Sequence, residues 1–169
     1  PINAYGRSKA LGETLIRESG CRHLILRTSW LYAPWGKNFV LTMLRLGAER
    51  EQLRVVADQV GVPNWSERLA ELTVHAVRVH VDQGLPWPNP ARVLHLSAAG
   101  AVSWHGFAEA IFAELRRLAT PEFAGTLAVR DLEAIPSSEF PTPARRPANS
   151  VLAATAFHRT YGVEPGPWR

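Results

Sequence analysis

The chain has 169 residues, of which 46% are hydrophobic and 20% charged, and its formal net charge is +4. This composition predicts one folded domain with a core and excludes a disordered chain, and the apolar runs are too short to cross a bilayer, so no membrane partner is expected. The basic residues are scattered without a block of like charges, which argues against a nucleic-acid partner and favours a small anionic ligand.

The first third of the chain predicts a helix followed by a strand. Residues 4–18 lack proline and place apolar residues at helical spacing, and Ser19 and Gly20 end the predicted helix. Residues 23–32, HLILRTSWLY, predict a single strand whose apolar start is typical of a parallel sheet. A short helix over 38–50 and a short strand over 53–57 follow, and a loop over 58–63 comes next.

The rest of the chain continues the alternation and then becomes rich in proline. Ser66 is predicted to cap a helix, and a proline-rich break over 84–90 separates this helix from a buried strand over 92–98. Ser103 is predicted to open a helix with a clear apolar face. The C-terminal third is predicted to be mostly irregular apart from a short helix over 152–161. Alternating helices and strands predict an α/β fold with crossover connections.

Tyr5 and Lys9 lie four residues apart, a spacing that would let them act together in proton transfer. Positions four apart on a helix share a face, with Cβ atoms about 5–6 Å apart. An adjacent ammonium favours the phenolate, so Lys9 is expected to lower the pKa of Tyr5 and make it useful as a general acid or base. Such a pair also occurs by chance on a solvated helix face, so the interpretation needs support from other motifs.

Four further motifs follow the pair in order. After YGRSKALGE at 5–13 come LRTSWLY at 26–32, GKNF at 36–39, DQVGVP at 58–63 and PTPARRP at 141–147. This ordered series resembles the extended short-chain dehydrogenase/reductase family and, within it, the dTDP-4-dehydrorhamnose reductase subfamily. The tyrosine and lysine alone indicate only the superfamily, and the other motifs narrow the resemblance to the subfamily.

The resemblance implies a partial Rossmann-like doubly wound parallel sheet, interlaced with a small α/β substrate-binding lobe. Residues 1–98 would be the C-terminal part of the dinucleotide-binding domain, with a substrate-lobe segment inserted near 36–63, and residues 99–169 would be the substrate-binding lobe. The family's glycine-rich cofactor turn precedes the Tyr-x-x-x-Lys helix, and no such motif occurs here. The chain is therefore expected to be the C-terminal portion of a longer reductase, inactive alone because the half that binds NADPH or NADH is missing.

The resemblance also implies catalytic roles. Tyr5 would give a proton to the C4 carbonyl oxygen of dTDP-4-dehydro-L-rhamnose as hydride arrives from the nicotinamide, forming dTDP-L-rhamnose. Lys9 would hold the ribose hydroxyls of the nicotinamide nucleotide and lower the pKa of Tyr5. Both residues are thus expected to bind the cofactor as well as to act in catalysis.

Substrate contacts are expected from two segments. By the resemblance, Trp30 would lie against the sugar, with Thr28 and Ser29 lining the same pocket; a buried core aromatic is the less favoured alternative for Trp30. Asn38, beside Lys37 at the start of a helix, would meet the diphosphate or simply begin the helix.

Two later loops carry further candidates. Arg145 and its neighbour Arg146, in a proline-stiffened loop, would pair with phosphate or form salt bridges. Asp58 and Gln59 would bind sugar hydroxyls or fix their own loop.

Other functions stay open. A non-catalytic regulatory or binding subunit on the same scaffold and a free-standing sugar-nucleotide-binding module are the alternatives. The spacing of His75 and His80 favours structural roles rather than a metal site, and no acidic cluster supports the Mg²⁺ found at the dimer interface of some relatives, so a homodimer is only an expectation. The single Cys21 rules out an internal disulfide and fits a reducing compartment, so a cytoplasmic location is expected.

Overall fold

The computed structural model describes residues 1–88, 92–118 and 127–169. Its helices are α1 (Ala4–Glu18), α2 (Phe39–Glu49), α3 (Ser66–Val81), α4 (Trp104–Leu118) and α5 (Thr155–Tyr161). Its strands are β1 (Ile25–Arg27), β2 (Leu31–Tyr32), β3 (Gln52–Val56), β4 (Val60–Gly61), β5 (Asn64–Trp65), β6 (Val93–His95), β7 (Val102–Ser103) and β8 (Asp131–Ile135). No helix in these ranges has both the length and the apolar character needed to span a bilayer.

The strands pair mainly in parallel. β1 pairs with β6, β2 with β5 and β3 with β8 in parallel, whereas β4 and β7 are antiparallel. Parallel strands require long crossovers, and α2, α3 and α4 lie in the connections between the paired strands. The predicted α/β class is therefore confirmed.

Two apolar clusters hold these layers together. In the first, α3 and α5 pack on β6; in the second, α2 and α4 pack on β3. Because α5 shares its core with β6, the C-terminal helix packs with residues of the predicted first domain, and the division near residue 98 stays a prediction. The buried members are Leu69, Leu72, Ala76, Val79, Leu94, Leu96, Phe157 and Tyr161 in the first cluster, and Met43, Leu53, Val55, Ala108, Phe112 and Val129 in the second.

Local signals predicted some elements well. Helix α1 occupies the predicted residues 4–18, and Gly20, with φ of 70°, follows its end in the left-handed conformation that glycine tolerates. Ser103 caps α4, since its Oγ accepts a hydrogen bond from the Gly106 amide at 3.0 Å.

Other predicted elements were wrong, and tertiary contacts explain two of the differences. The predicted single strand over 23–32 is two short strands separated by a turn at Trp30, whose φ is 46°. Before the turn β1 pairs with β6, and after it β2 pairs with β5. Trp65, not Ser66, holds the N-cap position of α3, and no side chain caps that end. The C-terminal third contains β8, which its acidic sequence concealed and which is paired along its full length with β3. Part of the predicted break, residues 89–90, lies outside the described residues.

His75 and His80 fasten α3 to α5, in keeping with the structural roles expected of them. A ring nitrogen of His80 lies 2.9 Å from the Tyr161 hydroxyl, and one of His75 lies 3.2 Å from the Tyr161 carbonyl oxygen. Burial raises the pKa of the Tyr161 phenol, so the hydroxyl keeps its proton at neutral pH.

Asn64 joins the segments that follow β1 and β6. Its side chain is fully buried, and Nδ2 donates to the Ser29 carbonyl at 2.8 Å and to Ser97 Oγ at 3.3 Å. Its Oδ1 accepts from the Ala98 amide at 2.7 Å, and its backbone amide donates to the Trp30 carbonyl at 3.0 Å. One buried amide side chain therefore satisfies polar groups at two strand ends.

Replacing Asn64 by alanine should lower the free energy of unfolding by about 2 kcal/mol, because it leaves partly buried backbone groups and the buried Ser97 hydroxyl without this partner. Urea denaturation followed by circular dichroism measures the change. The matched control is Asn149→Ala, since Asn149 is exposed and its side chain accepts one local hydrogen bond, from the Val151 amide; its expected cost is below about 1 kcal/mol. Equal losses in the two variants would contradict the central role of Asn64.

Candidate functional site

Tyr5 and Lys9 lie together in the first half of α1. The Lys9 ammonium is 5.7 Å from the centroid of the Tyr5 ring, within the range of a cation–π contact. Tyr5 is 70% exposed, so its hydroxyl is open to an incoming ligand. The helix can start here because Asn3 Oδ1 accepts a hydrogen bond from the Gly6 amide at 2.8 Å.

Polar contacts, rather than an apolar face, fasten α1 to the described part of the chain. None of its residues is buried. Glu13 binds Arg27, the last residue of β1, through two hydrogen bonds of 2.6 and 2.8 Å, and it also accepts one from Arg17. The hydrogen bond from Arg27 lowers the pKa of Glu13, so this carboxylate stays charged at neutral pH. At the other end of the helix, Asn3 Nδ2 donates to the Arg145 carbonyl at 2.8 Å.

Residues 145–150 form a strap that runs from α1 to the end of β1. After Arg145, the Ala148 carbonyl accepts from the Val60 amide at 2.8 Å, and the Ser150 amide donates to the Val60 carbonyl at 2.8 Å. Ser29 Oγ then reaches the Ser150 carbonyl at 3.4 Å. The strap therefore connects three predicted site segments: the Tyr5 helix, the DQVGVP loop and the residues after β1.

Trp30 is half-buried in an aromatic stack. Its ring lies 3.5 Å from that of Trp104 with an angle of 9° between the planes, and Phe39 packs against Trp104. A Cβ on Gly61 would lie only 2.3 Å from Trp30 Cε2, so only glycine leaves room for the indole there. These contacts favour a structural role for Trp30, and the sugar contact stays a prediction for its exposed part.

Thr28 and Asn38 have other surroundings. Thr28 lines an apolar depression of 410 Å³ between β1 and α3, away from the strap that Ser29 contacts. Asn38 caps α2 through a 3.1 Å hydrogen bond from the Leu41 amide, and its Nδ2 donates to the Ala33 and Trp35 carbonyls. Its amide is therefore engaged with the backbone, and substrate binding by either residue stays a prediction.

Asp58 fixes its loop against Ser137. Its carboxylate accepts from the Ser137 amide at 3.0 Å and from the Ser137 hydroxyl at 2.9 Å. Hydrogen bonds from that backbone amide and then the hydroxyl hold the pKa of Asp58 below its ordinary value. Of the two roles considered for this residue, the structure displays the loop-fixing one.

The sequence did not single out Asn3, Gly61, Asn64 or Trp104 as members of the site. Asn3 had a usable local signal, since asparagine directly before a helical segment is a preferred N-cap. Gly61 lies in the DQVGVP motif, but its contact with Trp30 could not be foreseen, and Asn64 and Trp104 had no local signal, because their importance comes from residues distant in sequence. In the described part of the chain, no group of three or more His, Cys, Asp and Glu side chains is arranged to hold a metal ion.

Parallel α/β pairing together with an exposed Tyr-x-x-x-Lys helix defines the class: the chain has the fold of the short-chain dehydrogenase/reductases. The family model for the RmlD substrate binding domain matches residues 1–169. The chain belongs to that family.

Two similar curated proteins are both named dTDP-4-dehydrorhamnose reductase. A dTDP-4-dehydrorhamnose reductase of Burkholderia thailandensis is 47% identical over 100% of this chain and 56% of its own length. The corresponding Escherichia coli reductase is 42% identical over 100% of this chain and 54% of its own length. The chain thus spans about half the length of the curated relatives it matches.

Solved structures agree in fold. The crystal structure of a dTDP-4-dehydrorhamnose reductase from Bacillus anthracis in complex with NADP has a TM-score of 0.80 at 32% identity, covering 99% of this chain and 53% of that one. A UDP-glucose 4-epimerase from Brucella ovis shares the fold, with a TM-score of 0.65 at 18% identity over 97% of this chain and 51% of that one.

Gly61→Ala should disrupt the Trp30–Trp104 stack, because the new methyl group would overlap the indole. The expected results are a loss of about 1–3 kcal/mol in the free energy of unfolding and a changed near-ultraviolet circular dichroism spectrum. Gly12→Ala is the control, since its Cβ would meet nothing within 4 Å, and it should stabilise the chain by about 0.5–1 kcal/mol. An unchanged aromatic spectrum in Gly61→Ala would refute the close packing.

Asp58→Asn should reduce stability at neutral pH but not in acid. Because the folded-state pKa is lowered, the contribution of Asp58 is complete above its unfolded pKa of about 3.9 and disappears as pH falls through the folded value. The difference in Tm between the wild-type chain and the variant should therefore be constant from about pH 5 to 7 and shrink below about pH 4. Thermal denaturation across this range tests the prediction, and a difference that grows in acid would contradict it.

Proposed function

We propose that this chain supplies the acid and the substrate-binding part of an NAD(P)H-dependent reductase that converts dTDP-4-dehydro-L-rhamnose into dTDP-L-rhamnose. The observation that carries the proposal is the exposed Tyr5–Lys9 pair, tied through Asn3 and the 145–150 strap to the segment bearing Ser29 and Trp30. The names of the relatives and the NADP in the Bacillus anthracis structure support the reaction and the cofactor class.

Tyr5 is the proton donor in this proposal. A bound NADPH or NADH would supply hydride to C4 of the sugar. Tyr5 gives its phenolic proton to the C4 carbonyl oxygen, so that the C=O bond becomes a CH–OH group and the phenolate is left on the enzyme. The adjacent ammonium of Lys9 stabilises that phenolate.

Lys9 fits a second task, which is to hold the ribose hydroxyls of the cofactor. Among the described residues no carboxylate forms an ion pair with Lys9, while its ammonium lies beside the exposed Tyr5 ring. Three donors on one flexible side chain can serve two ribose hydroxyls and still face the phenol. Tyr5 and Lys9 would therefore hold the cofactor and act in the proton transfer together.

Arg145 and Trp30 would bind the substrate. Arg145 is exposed and lies in a loop stiffened by proline, so its guanidinium is free to pair with a diphosphate oxygen. The exposed part of Trp30 and the Ser29 hydroxyl would meet the sugar. Thr28 is a weaker candidate because it faces the apolar depression beside α3, and Asn38 is weaker because its amide already donates to backbone carbonyls.

A sugar-nucleotide-binding module without catalysis is the second candidate. It is favoured by the strap and the aromatic stack, which are both complete within this chain. Titration with dTDP detects such binding. We expect the isolated chain to turn over little or no NADPH, and we expect the whole enzyme to be cytoplasmic.

The catalytic proposal is tested in a fusion protein that joins this chain to the part of the Burkholderia thailandensis reductase that it does not match. With NADPH and dTDP-4-dehydrorhamnose, Tyr5→Phe should lower kcat at least about 100-fold, because the proton donor is lost. Lys9→Met should lower kcat and raise the KM for NADPH. Loss of NADPH absorbance measures turnover.

Tyr32→Phe is the matched control for this assay. Tyr32 is half-buried against Phe107, and burial raises the pKa of its phenol, so removing its hydroxyl should leave kcat within about 3-fold of the wild-type value. A Tyr5→Phe fusion as active as Tyr32→Phe would exclude Tyr5 as the acid. A wild-type fusion that binds dTDP without turnover would favour the binding module.

A further inference from the structure

Asn3 uses both ends of its side-chain amide at the start of α1. Oδ1 accepts from the Gly6 amide at 2.8 Å and caps the helix, while Nδ2 donates to the Arg145 carbonyl at 2.8 Å. Helix capping needs only the oxygen, and serine or aspartate supplies one equally well. The second hydrogen bond is therefore an addition that capping does not explain.

That second bond brings two predicted functional segments to one point. Tyr5 follows Asn3 by two residues in the first turn of α1, and Arg145 begins the strap at 145–150. Because α1 buries none of its residues, packing of the helix itself does little to fix this end of it against the strap. The hydrogen bond from the Asn3 amide therefore sets the position of the Arg145 backbone relative to the helix that bears Tyr5.

We propose that Asn3 is a positioning residue for the reduction: by holding the Arg145 backbone beside the first turn of α1, it fixes the residue that would bind the diphosphate relative to Tyr5. The inference rests on the proposed function and deepens it, because it makes the Asn3 amide responsible for the position of Arg145, which would bind the diphosphate, relative to Tyr5, which would donate the proton. A substrate bound through its diphosphate brings its keto group to Tyr5 in the correct place only if Arg145 and Tyr5 are fixed relative to each other.

The surrounding loop is built to carry such a constraint. Pro141, Pro143 and Pro147 restrict its backbone, and Thr142 Oγ1 donates to the Ala144 carbonyl at 2.9 Å. On its far side the strap is bound to Val60 by backbone hydrogen bonds. A stiff segment fixed at both ends loses little further entropy when Arg145 closes on a phosphate.

The test separates capping from positioning by means of two substitutions. Asn3→Ser and Asn3→Asp both keep an oxygen to cap α1, and neither has an amide donor for the Arg145 carbonyl. Asn149→Asp is the control, because it makes the same amide-to-carboxylate change in the strap while keeping the oxygen that accepts from the Val151 amide. All variants are made in the fusion protein used for the catalytic assay.

Amide hydrogen exchange measures the contact itself. Asn3→Ser should accelerate exchange within residues 144–146, while the thermal stability of α1 stays near that of the wild-type protein and Asn149→Asp leaves these residues unchanged. Unaltered exchange in both Asn3 variants would overturn the proposal, since the tie would then not order the loop.

A double-mutant cycle measures the functional coupling. Asn3→Ser should lower kcat/KM for the dTDP-sugar about 5-fold, and by less than about 2-fold once Arg145→Ala has removed the guanidinium. Equal effects in both backgrounds would overturn the proposal, because Asn3 would then act on the helix alone. A wild-type fusion without reductase activity is a different result, which contradicts the proposed function itself.

Discussion

The buried amide of Asn64 is the interaction on which the architecture of this chain depends. It binds polar groups that follow β1 and β6, and so it fixes the two carboxyl ends of a parallel pair next to each other. Ligands of parallel α/β folds bind outside such strand ends. The residues after β1, Ser29 and Trp30, leave the sheet at this point, so the amide that closes the core also fixes the segment that carries these two proposed substrate contacts.

The candidate site combines chemical groups on an exposed helix with positions fixed by long-range polar contacts. Tyr5 and Lys9 face solvent, yet Glu13 fastens their helix to Arg27 and Asn3 fastens it to the strap. Exposed ion pairs contribute little to stability on their own, so the main effect of these contacts is to fix the orientation of the helix. The helix can present the Tyr5 phenol openly because its orientation does not depend on burying that side chain.

Local sequence signals made part of the fold and of the candidate site predictable. The bounds of α1 and the cap of α4 follow from residues within a few positions of each helix end, and both predictions are confirmed. The turn at Trp30 and the strand β8 could not be predicted, because partners distant in sequence impose them: Gly61 and Trp104 confine the indole, and β3 supplies the pairing of β8. For Asp58 the sequence allowed two roles, and its contact with Ser137 shows that it fixes the loop. The motifs pointed to the family, whereas the polar contacts that organise the site emerged only in three dimensions.

The pairing of β3 with β8 has a consequence for how the chain is made. Gln52 and Asp131 lie side by side although 79 residues separate them. Closing so long a loop costs entropy before any contact is gained, and folds rich in distant pairings fold slowly. On the ribosome, the apolar residues of β3 must wait until β8 has been synthesised and has left the exit tunnel. The second core therefore cannot close before β8 is available, and until then the nascent chain depends on avoiding contacts with other exposed strands.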